Sequence, residues 1–263
     1  MSAQSPISQS PIPNPHPMRE LLILAMTRMK SGICTAGISA QTHPESVHAW
    51  VRPVKEFSTL LLGDMTTAGG QVVRVNDVVS LNLLHPRVDP VHAEDWVTDF
   101  VKQPPRILRR LDGQKRADFL AQHIDRNPAR VLVEHSRSLC LVQPMDFWCD
   151  FFWDHYSDKY RARIGYHLDA RFGQAADAPT GLSVTDLAWR ALGREWLTAD
   201  LPQPARPIQT LRLNRAEILE RLGAETLYLS IGLSRLYSGG YPALVVGVHP
   251  VPDYSVEIDY QNL

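Results

Sequence analysis

The most regular set of potential catalytic side chains is a row of aspartates within the segment DFWCDFFWDHYSD. Asp146, Asp150, Asp154 and Asp158 recur there every four residues. If the segment were helical, their carboxylates would line one stripe and could bind a divalent cation, as in a nuclease. Carboxylates at this spacing also repel one another on a helix. A nuclease core usually takes its acids from several strands and adds a lysine, and no such set is evident. A solvated acidic face is therefore the preferred interpretation.

Other catalytic motifs are absent from the sequence. It contains no GxxxxGK[ST] phosphate loop, no GxGxxG after a strand, no HExxH and no GxSxG. His92-Ala93-Glu94 matches the HxE of zinc deaminases, but those enzymes also need a PCxxC to complete the metal shell. Cys140 and Cys149 lack that context. We therefore predict no catalytic residue, no metal and no cofactor, and we interpret the three cysteines as reduced thiols.

Side chains suited to binding nucleic acid form two groups. Trp50 and Arg52 share one face of a predicted strand, which would place a base-stacking ring beside a phosphate-binding guanidinium. In the strand YRARIGYHL, Arg161 and Arg163 alternate with apolar residues. The alternative is that Trp50 is buried and the arginines pair with neighbouring acids. The predicted nucleic-acid-binding residues are Arg28, Lys30, Trp50, Arg52, Lys55, Arg161 and Arg163.

The elements that position these residues are mostly strands. ELLILAMT, ICTAGISA, VHAWVRPV and VVRVNDVVSLNLL predict a series of short strands between Glu20 and Leu84. Consecutive short antiparallel strands are typical of a small closed barrel, which leaves no exposed edge. Asn76-Asp77 predicts a turn or bulge within the last of these segments.

The middle of the chain reads as helical, and strands then return. Acids in a first turn and apolar residues at helical spacing predict helices over His92–Gln103 and Ile107–Ile124. RVLVEH, SLCLVQPMDFWCDFFW and KYRARIGYHL predict strands. Later helices are predicted over Leu182–Leu201, capped by Ser183 or Thr185, and over Asn214–Gly223. TLYLSIGLSRLY and YPALVVGVHPV predict a final β pair. The fold class is therefore α+β and mainly β.

Taken in order, these segments resemble the bacterial dual OB-containing domain family. The resemblance runs from about Arg19 to Val251 and rests on a series: LILAMTRMKSGICTAGI, HAWVRPV, VNDVVSLNL, HAEDW, VLVEHSRSLCLVQP, YRARIGYHLDA, LSVTDLAWRALG and LYLSIGLSRLY. It implies two fused OB-like small β-barrels with intervening helices, and a role in nucleic-acid binding or sensing, often linked with prokaryotic defence. It supplies no catalytic residues. The proline-rich N-terminal segment and the Pro202–Pro207 loop depart from it.

Three regions follow from this organisation. Residues 1–18 are predicted to be a disordered tail, 19–125 a first OB-like half with a helical extension, and 126–263 a second OB-like half with helices. The net charge of the chain is −1, but residues 102–137 carry nine basic and four acidic side chains. Such a local excess of positive charge suits phosphate contacts, although a solvated helix face would look the same.

The leading functional hypothesis is a non-enzymatic protein that binds or senses nucleic acid, single-stranded DNA or RNA, in the cytoplasm. The alternative is a scaffold subunit with protein partners in a larger complex, because net charge is near zero and the stretch FWCDFFWDHY is rich in aromatic residues. A metal-dependent nuclease ranks third. No apolar run approaches the roughly 18 residues that a membrane helix needs, so no membrane partner is expected.

Overall fold

The computed structural model describes residues 18–29, 31–39, 49–87, 89–172, 174–200 and 208–260. Within these ranges the chain forms two seven-stranded sheets, one of them curled into a half-barrel, and four α-helices. This confirms the predicted fold class, which is mainly β with intervening helices and has two OB-like sheets. Lys30, nearly all of the predicted 1–18 tail and the Pro202–Pro207 loop lie outside the described residues.

The first sheet has the strand order β5-β6-β3-β2-β1-β4-β7. Its long apolar strand β1 is buried over seven consecutive residues and pairs antiparallel with β2 and β4. Strand β3 pairs with β2 on one side and, in parallel, with β6 on the other. The strands are β1 (Arg19–Met29), β2 (Gly32–Ser39), β3 (Trp50–Val54), β4 (Asp77–Leu81), β5 (Leu83–Pro86), β6 (Asp95–Thr98) and β7 (Arg106–Arg110).

The second sheet has the order β12-β9-β10-β11-β14-β13-β8. The strands β12, β9 and β10 form an antiparallel set at one end of the sheet, and β11 joins this set to β14, with which it pairs in parallel. The strands are β8 (Leu139–Val142), β9 (Asp146–Asp154), β10 (Lys159–His167), β11 (Ala178–Val184), β12 (Ile208–Asn214), β13 (Thr226–Leu233) and β14 (Ala243–Val251).

The helices are α1 (Gly113–Gln122), α2 (Ala129–Leu132), α3 (Leu187–Asp200) and α4 (Arg215–Leu222). Helix α4 begins as predicted, because the Asn214 side chain accepts the Glu217 N–H and the Glu217 carboxylate accepts the Asn214 N–H. It ends as predicted at Gly223, whose φ of 59° suits glycine. Short 3₁₀ turns occupy Leu62–Met65, Ala170–Phe172 and Gln174–Ala176.

The structure corrects several predicted elements in the middle of the chain. The helix predicted over His92–Gln103 is wrong, because the segment forms strand β6 with loop residues on either side. Hydrogen bonding of β6 to β3 and β5 determines its structure, although its apolar residues have helical spacing. Ile107–Ile124 divides at Asp112 into strand β7 and helix α1. The strand predicted for RVLVEH contains the short helix α2. Helix α3 begins at Leu187 rather than Leu182, because residues up to Val184 complete strand β11.

The buried apolar side chains form three clusters. Two of them each fill the core of one sheet, and the third lies between the two sheets. The third draws Leu22, Leu24 and Ile38 from the first sheet and Leu139 and Leu141 from the second. At this contact a Cβ on Gly247 of β14 would overlap the Leu24 carbonyl oxygen, so only glycine fits. Among the described residues, no helix has the length and apolar character needed to cross a membrane.

Candidate nucleic-acid interface

The side of the second sheet that faces away from its core presents aromatic and basic side chains together. Phe147, Cys149 and Phe151 of strand β9 are buried, whereas Trp148 and Phe152, which alternate with them, are partly exposed. Strands β10 and β12 alternate in the same way. We call this surface the outer face. Its residues are Trp148, Asp150 and Phe152 of β9, Lys159, Arg161 and Arg163 of β10, and Thr210 and Arg212 of β12.

The strand register places each ring of the outer face beside a guanidinium. Phe152 of β9 lies directly opposite Arg161 of β10. Asp150 lies between Arg163 on one side and Arg212 on the other. Directly opposite residues on one sheet face have Cβ atoms about 5 Å apart. An aromatic ring and a cation can therefore contact the same extended ligand.

Trp148 lies in a space that two glycines create. A Cβ on Gly165 would overlap the indole ring, and a Cβ on Gly181 would lie 2.8 Å from it. The Arg212 guanidinium carbon is 4.5 Å from the centroid of the indole, a cation–π distance. Asp150 holds that guanidinium with two hydrogen bonds of 2.6 Å. The ring is thus fixed against the sheet, and a partly exposed aromatic surface results.

The cations of the outer face differ in how much of their bonding capacity is used. Arg163 donates to the carbonyl oxygens of Thr180, at 3.2 Å, and of Gly181, at 2.5 Å. The exposed Arg161 guanidinium has no hydrogen bond or ion pair with another described residue. Lys159 is also exposed. With Arg212, the face therefore carries four cations, and Arg161 is available for a phosphate.

The aspartate row does not form a metal site in this structure. Asp146, Asp150 and Asp154 lie on one face of a strand, and residues four apart in a strand are separated by about 13 Å. They therefore cannot share one cation. Asp154 instead caps the β9–β10 turn by accepting the Ser157 hydroxyl at 2.5 Å, and that bond lowers the pKa of the carboxyl. Within the described residues, no group of three or more His, Cys, Asp or Glu side chains is placed to hold a metal.

Trp50 and Arg52 do not form the exposed pair that the sequence predicts. Trp50 is 3% exposed, in the cluster between the sheets, and Arg52 is 7% exposed. The Arg52 Nε donates to the Asp95 carboxylate at 2.5 Å. The physical reason is that β3 lies inside its sheet, between β2 and β6, with both faces covered. The alternative interpretation, burial and pairing with neighbouring acids, describes this strand.

The remaining predicted binding residues separate into two locations. Arg161 and Arg163 lie on the outer face. Arg28, Arg52 and Lys55 line a cleft between the two sheets, where the Lys55 ammonium lies 3.1 Å from the Asp64 carboxylate. Lys30 lies outside the described residues. The structure therefore does not bring the seven predicted residues into one surface.

Comparison with known proteins identifies the family. The family model of the dual OB-containing domain matches residues 19–186, well over half of the chain. This chain belongs to the dual OB-containing domain family. No curated protein matches it, and no solved structure does. The region matched to the dual OB-containing domain includes the whole first sheet and strands β8 to β11, so it contains most of the outer face.

OB folds offer a physical reason to examine such a face. They bind single strands by stacking bases on aromatic side chains of the sheet and by contacting phosphates with basic ones. In this dual OB-containing domain, the outer face supplies two partly exposed rings and four cations on three adjacent strands. Arg212 lies in the same row of the sheet as Arg163, across Asp150, and Lys159 lies two residues before Arg161 on β10.

Of the rings and cations of the outer face, sequence reasoning missed four: Trp148, Phe152, Lys159 and Arg212. Their signal was present in the alternation of DFWCDFFWD, in which every second residue from Asp146 faces outward. The sequence shows that this segment is rich in aromatic residues. It does not show which of the two strand faces is covered, because that depends on the pairing of the strand and its packing in the fold. Arg212 could be placed only by the pairing of β12 with β9, which joins segments about 60 residues apart.

Proposed function

We propose that this protein binds single-stranded nucleic acid on the outer face and catalyses no reaction there. The dual OB-containing domain supports nucleic-acid binding as the broad function. The observation that carries the proposal is the pairing of the partly exposed Phe152 ring with the Arg161 guanidinium on the adjacent strand, which has no partner among the described residues. One group stacks on a base and the other attracts the phosphate beside it.

The arrangement favours a single strand over a duplex. Phe152 presents its partly exposed ring on β9, and Trp148, four residues earlier and therefore about 13 Å away, is partly exposed beside Arg212. Neither ring belongs to the apolar clusters of the described residues, so neither is needed to fill the core. Stacking requires an unpaired base, and each stacked base contributes about 1–3 kcal/mol.

A broader setting forms part of the proposal. Family resemblance motivates a place in a cytoplasmic prokaryotic defence complex, where binding of DNA or RNA would be the recognition step. All three cysteines are free thiols, which suits a reducing compartment. Tyr156, in the turn that joins β9 and β10, is 92% exposed and offers a contact for a protein partner in such a complex.

The proposal is tested by fluorescence anisotropy with short single- and double-stranded DNA and RNA at about 50 and 200 mM salt. Phe152→Ala is expected to weaken single-strand binding about 5- to 150-fold, the loss of one stacked base. Arg161→Ala is expected to reduce the slope of log K against log salt by about 0.7, the contribution of one phosphate contact on a single strand.

Arg106→Ala is the matched control, because Arg106 is exposed on strand β7 of the other sheet. It should bind as the wild type does. Wild-type affinity in both outer-face variants would overturn the proposed surface. Absence of binding to every probe at low salt would instead favour the scaffold function with protein partners.

A further inference from the structure

A cleft of about 950 Å³ lies between the two sheets. Its walls come from β1, β2 and β3 and the loop that follows β3, and from β13, β14 and the loop that joins them. Small-molecule sites have volumes of roughly 300–1,000 Å³ and are often found where two structural units meet. The cleft is therefore large enough for a ligand of considerable size, and both sheets must be in place to form it.

The charge of the cleft favours an anion. Of the described lining residues, one is acidic, Glu56, and it lies 3.2 Å from His85. Neither Arg28 nor Arg87, both exposed, forms an ion pair with another described residue. The cationic lining residues are Arg28, Arg52, Lys55, Arg87 and Arg235, and three of them, Arg52, Lys55 and Arg235, form ion pairs with aspartates. The guanidinium groups of Arg28 and Arg87, which have no ion pair within the described part of the chain, provide the bidentate donors that phosphate oxygens accept.

A buried donor without a partner gives an independent indication of a ligand. The Arg52 Nη2 is buried and makes no hydrogen bond. Glu94 Oε1 lies 3.6 Å from it, beyond hydrogen-bond distance. A buried guanidinium N–H without an acceptor is unfavourable. Arg52 is one of the residues that line the cleft, so this unsatisfied donor belongs to the cleft wall.

The remainder of the cleft is suited to a flat apolar group. Its inner wall includes Ile33, Leu60 and Val246. At the surface, Phe57 of the first sheet's loop is 95% exposed, and Tyr237 of the second sheet's loop is 72% exposed. Rings exposed to this degree have little packing role in the fold. One ring from each sheet can contact a base bound between them.

We propose that the inter-sheet cleft binds a nucleoside phosphate, with the phosphate held by Arg28, Arg52 and Arg87 and the base against the apolar wall and the two exposed rings. This site is distinct from the outer face, since it is formed by different strands. The same chemistry could be supplied by a free nucleotide or by the phosphorylated end of a strand. Binding there would bring both sheets into contact with one ligand.

Cys34 gives a direct measure of occupancy. It lines the cleft and is partly accessible, whereas Cys140 and Cys149 are buried. Burial raises the pKa of the Cys34 thiol and the Arg52 guanidinium opposes that rise, so labelling is best done at about pH 8.5. The probe is N-ethylmaleimide, a neutral reagent that the arginines do not attract, followed by intact mass and peptide mapping of the full chain.

We expect Cys34 labelling to be slowed by nucleoside monophosphates (AMP, GMP, CMP and UMP) and by the corresponding triphosphates. The nucleosides with the same bases, which lack a phosphate, should give little protection. Calorimetric titration should show Kd raised about tenfold or more in Arg28→Ala and in Arg87→Ala, because each removes a charged hydrogen-bond donor. A 5′-phosphorylated short oligonucleotide compared with its 5′-hydroxyl form, in a Phe152→Ala background, separates a strand end from a free nucleotide.

Arg106→Ala is the control, because Arg106 lies on a strand that forms neither site, and it should leave nucleotide binding in the cleft unchanged. Absence of protection and of heat with every nucleoside phosphate and with the phosphorylated strand would overturn the site. So would equal protection by nucleosides, or unchanged Kd in both cleft variants. Because Arg161 and Phe152 report on the outer face alone, failure of this site leaves the test of nucleic-acid binding unaffected.

Discussion

Asp186 lies where strand β1, strand β14 and helix α3 meet, and it is 1% exposed. Its carboxylate accepts the Trp189 N–H at 3.0 Å, which caps α3, and the Val248 N–H at 2.8 Å. The residue also forms a β-bridge with Thr27. Burial raises the pKa of this carboxyl to about 6, although the backbone hydrogen bonds oppose the rise. The side chain of Asp186 therefore joins α3 to β14, and its backbone bridges to β1 of the first sheet.

The raised pKa of Asp186 makes stability depend on pH. The folded carboxyl keeps its proton to higher pH than the unfolded one, so its contribution is present below the ordinary pKa near 3.8 and is lost as pH rises through about 6. Between about pH 4 and pH 7 the free energy of unfolding of the wild type should fall by roughly 2–3 kcal/mol relative to Asp186→Asn.

Urea unfolding of the wild type and of Asp186→Asn over this pH range measures the difference. Taking the difference cancels carboxyls whose pKa is lowered, such as Asp89 and Asp154, because both proteins contain them. Parallel stability profiles for the two proteins would show that Asp186 has no raised pKa in the fold.

The candidate site was predictable from sequence where alternation alone decides exposure. Arg161 and Arg163 alternate with apolar residues along β10, which predicts that both point away from the core. The structure confirms that both are exposed. Trp50 and Arg52 follow the same alternation, yet both are buried. Alternation shows which residues share a face of a strand, but it does not show whether one face or both are buried. In β3 both faces are buried, because the strand lies inside its sheet.

At the scale of elements, the outer face depends on glycines in β10 and β11. Gly165 lies directly opposite Trp148, and Gly181 of β11 lies against the far edge of the same ring. Any larger side chain at position 165 would overlap the Trp148 indole. The strands β9, β10 and β11 thus provide a flat support for one aromatic ring, and Arg212 of β12 covers it.

Gly165→Ala is expected to move the Trp148 ring from its place on the sheet. Overpacking of this kind costs about 1–3 kcal/mol of stability. Nucleic-acid binding should weaken as well, because the ring no longer presents its surface on the outer face. Urea unfolding and anisotropy measure the two effects. Gly63→Ala is the control, since no atom lies within 4 Å of a Cβ there. Wild-type affinity in Gly165→Ala would show that Trp148 is not part of the binding surface.

The accuracy of the predicted elements follows the range of the interactions that form them. Helix α4 carries its start and stop signals locally, in Asn214 and Gly223, and it was predicted correctly. Strand β6 has acids and apolar residues at helical spacing, but it pairs in parallel with β3, about 40 residues earlier. No local pattern encodes that pairing. Its acids Glu94 and Asp95 are buried beside Arg52 and do not begin a helix.

At the scale of the whole molecule, buried contacts cross the boundary predicted near residue 125. Arg116 of helix α1 is 2% exposed and joins the two halves. It donates to the Asn76 side chain at 2.9 Å and to the Pro250 carbonyl at 2.6 Å, and its Nη2 lies 3.4 Å from the Asp253 carboxylate. Together with the apolar cluster between the sheets, these contacts bury side chains of the two halves against each other.

The two halves are therefore expected to unfold as one cooperative unit, and Arg116→Ala should destabilise both. Removal of a buried, paired guanidinium costs about 3–5 kcal/mol, because its partners Asn76 and Asp253 lose their bonds inside the protein. Hydrogen exchange should show amides of both sheets losing protection to a similar extent. Arg130→Ala is the control, because Arg130 is largely exposed, with only a long ion pair to Glu134. Two separate urea transitions, or loss of protection confined to one sheet, would mean that residues 19–125 and 126–263 fold independently, and a ligand in the cleft would then have to assemble its own site.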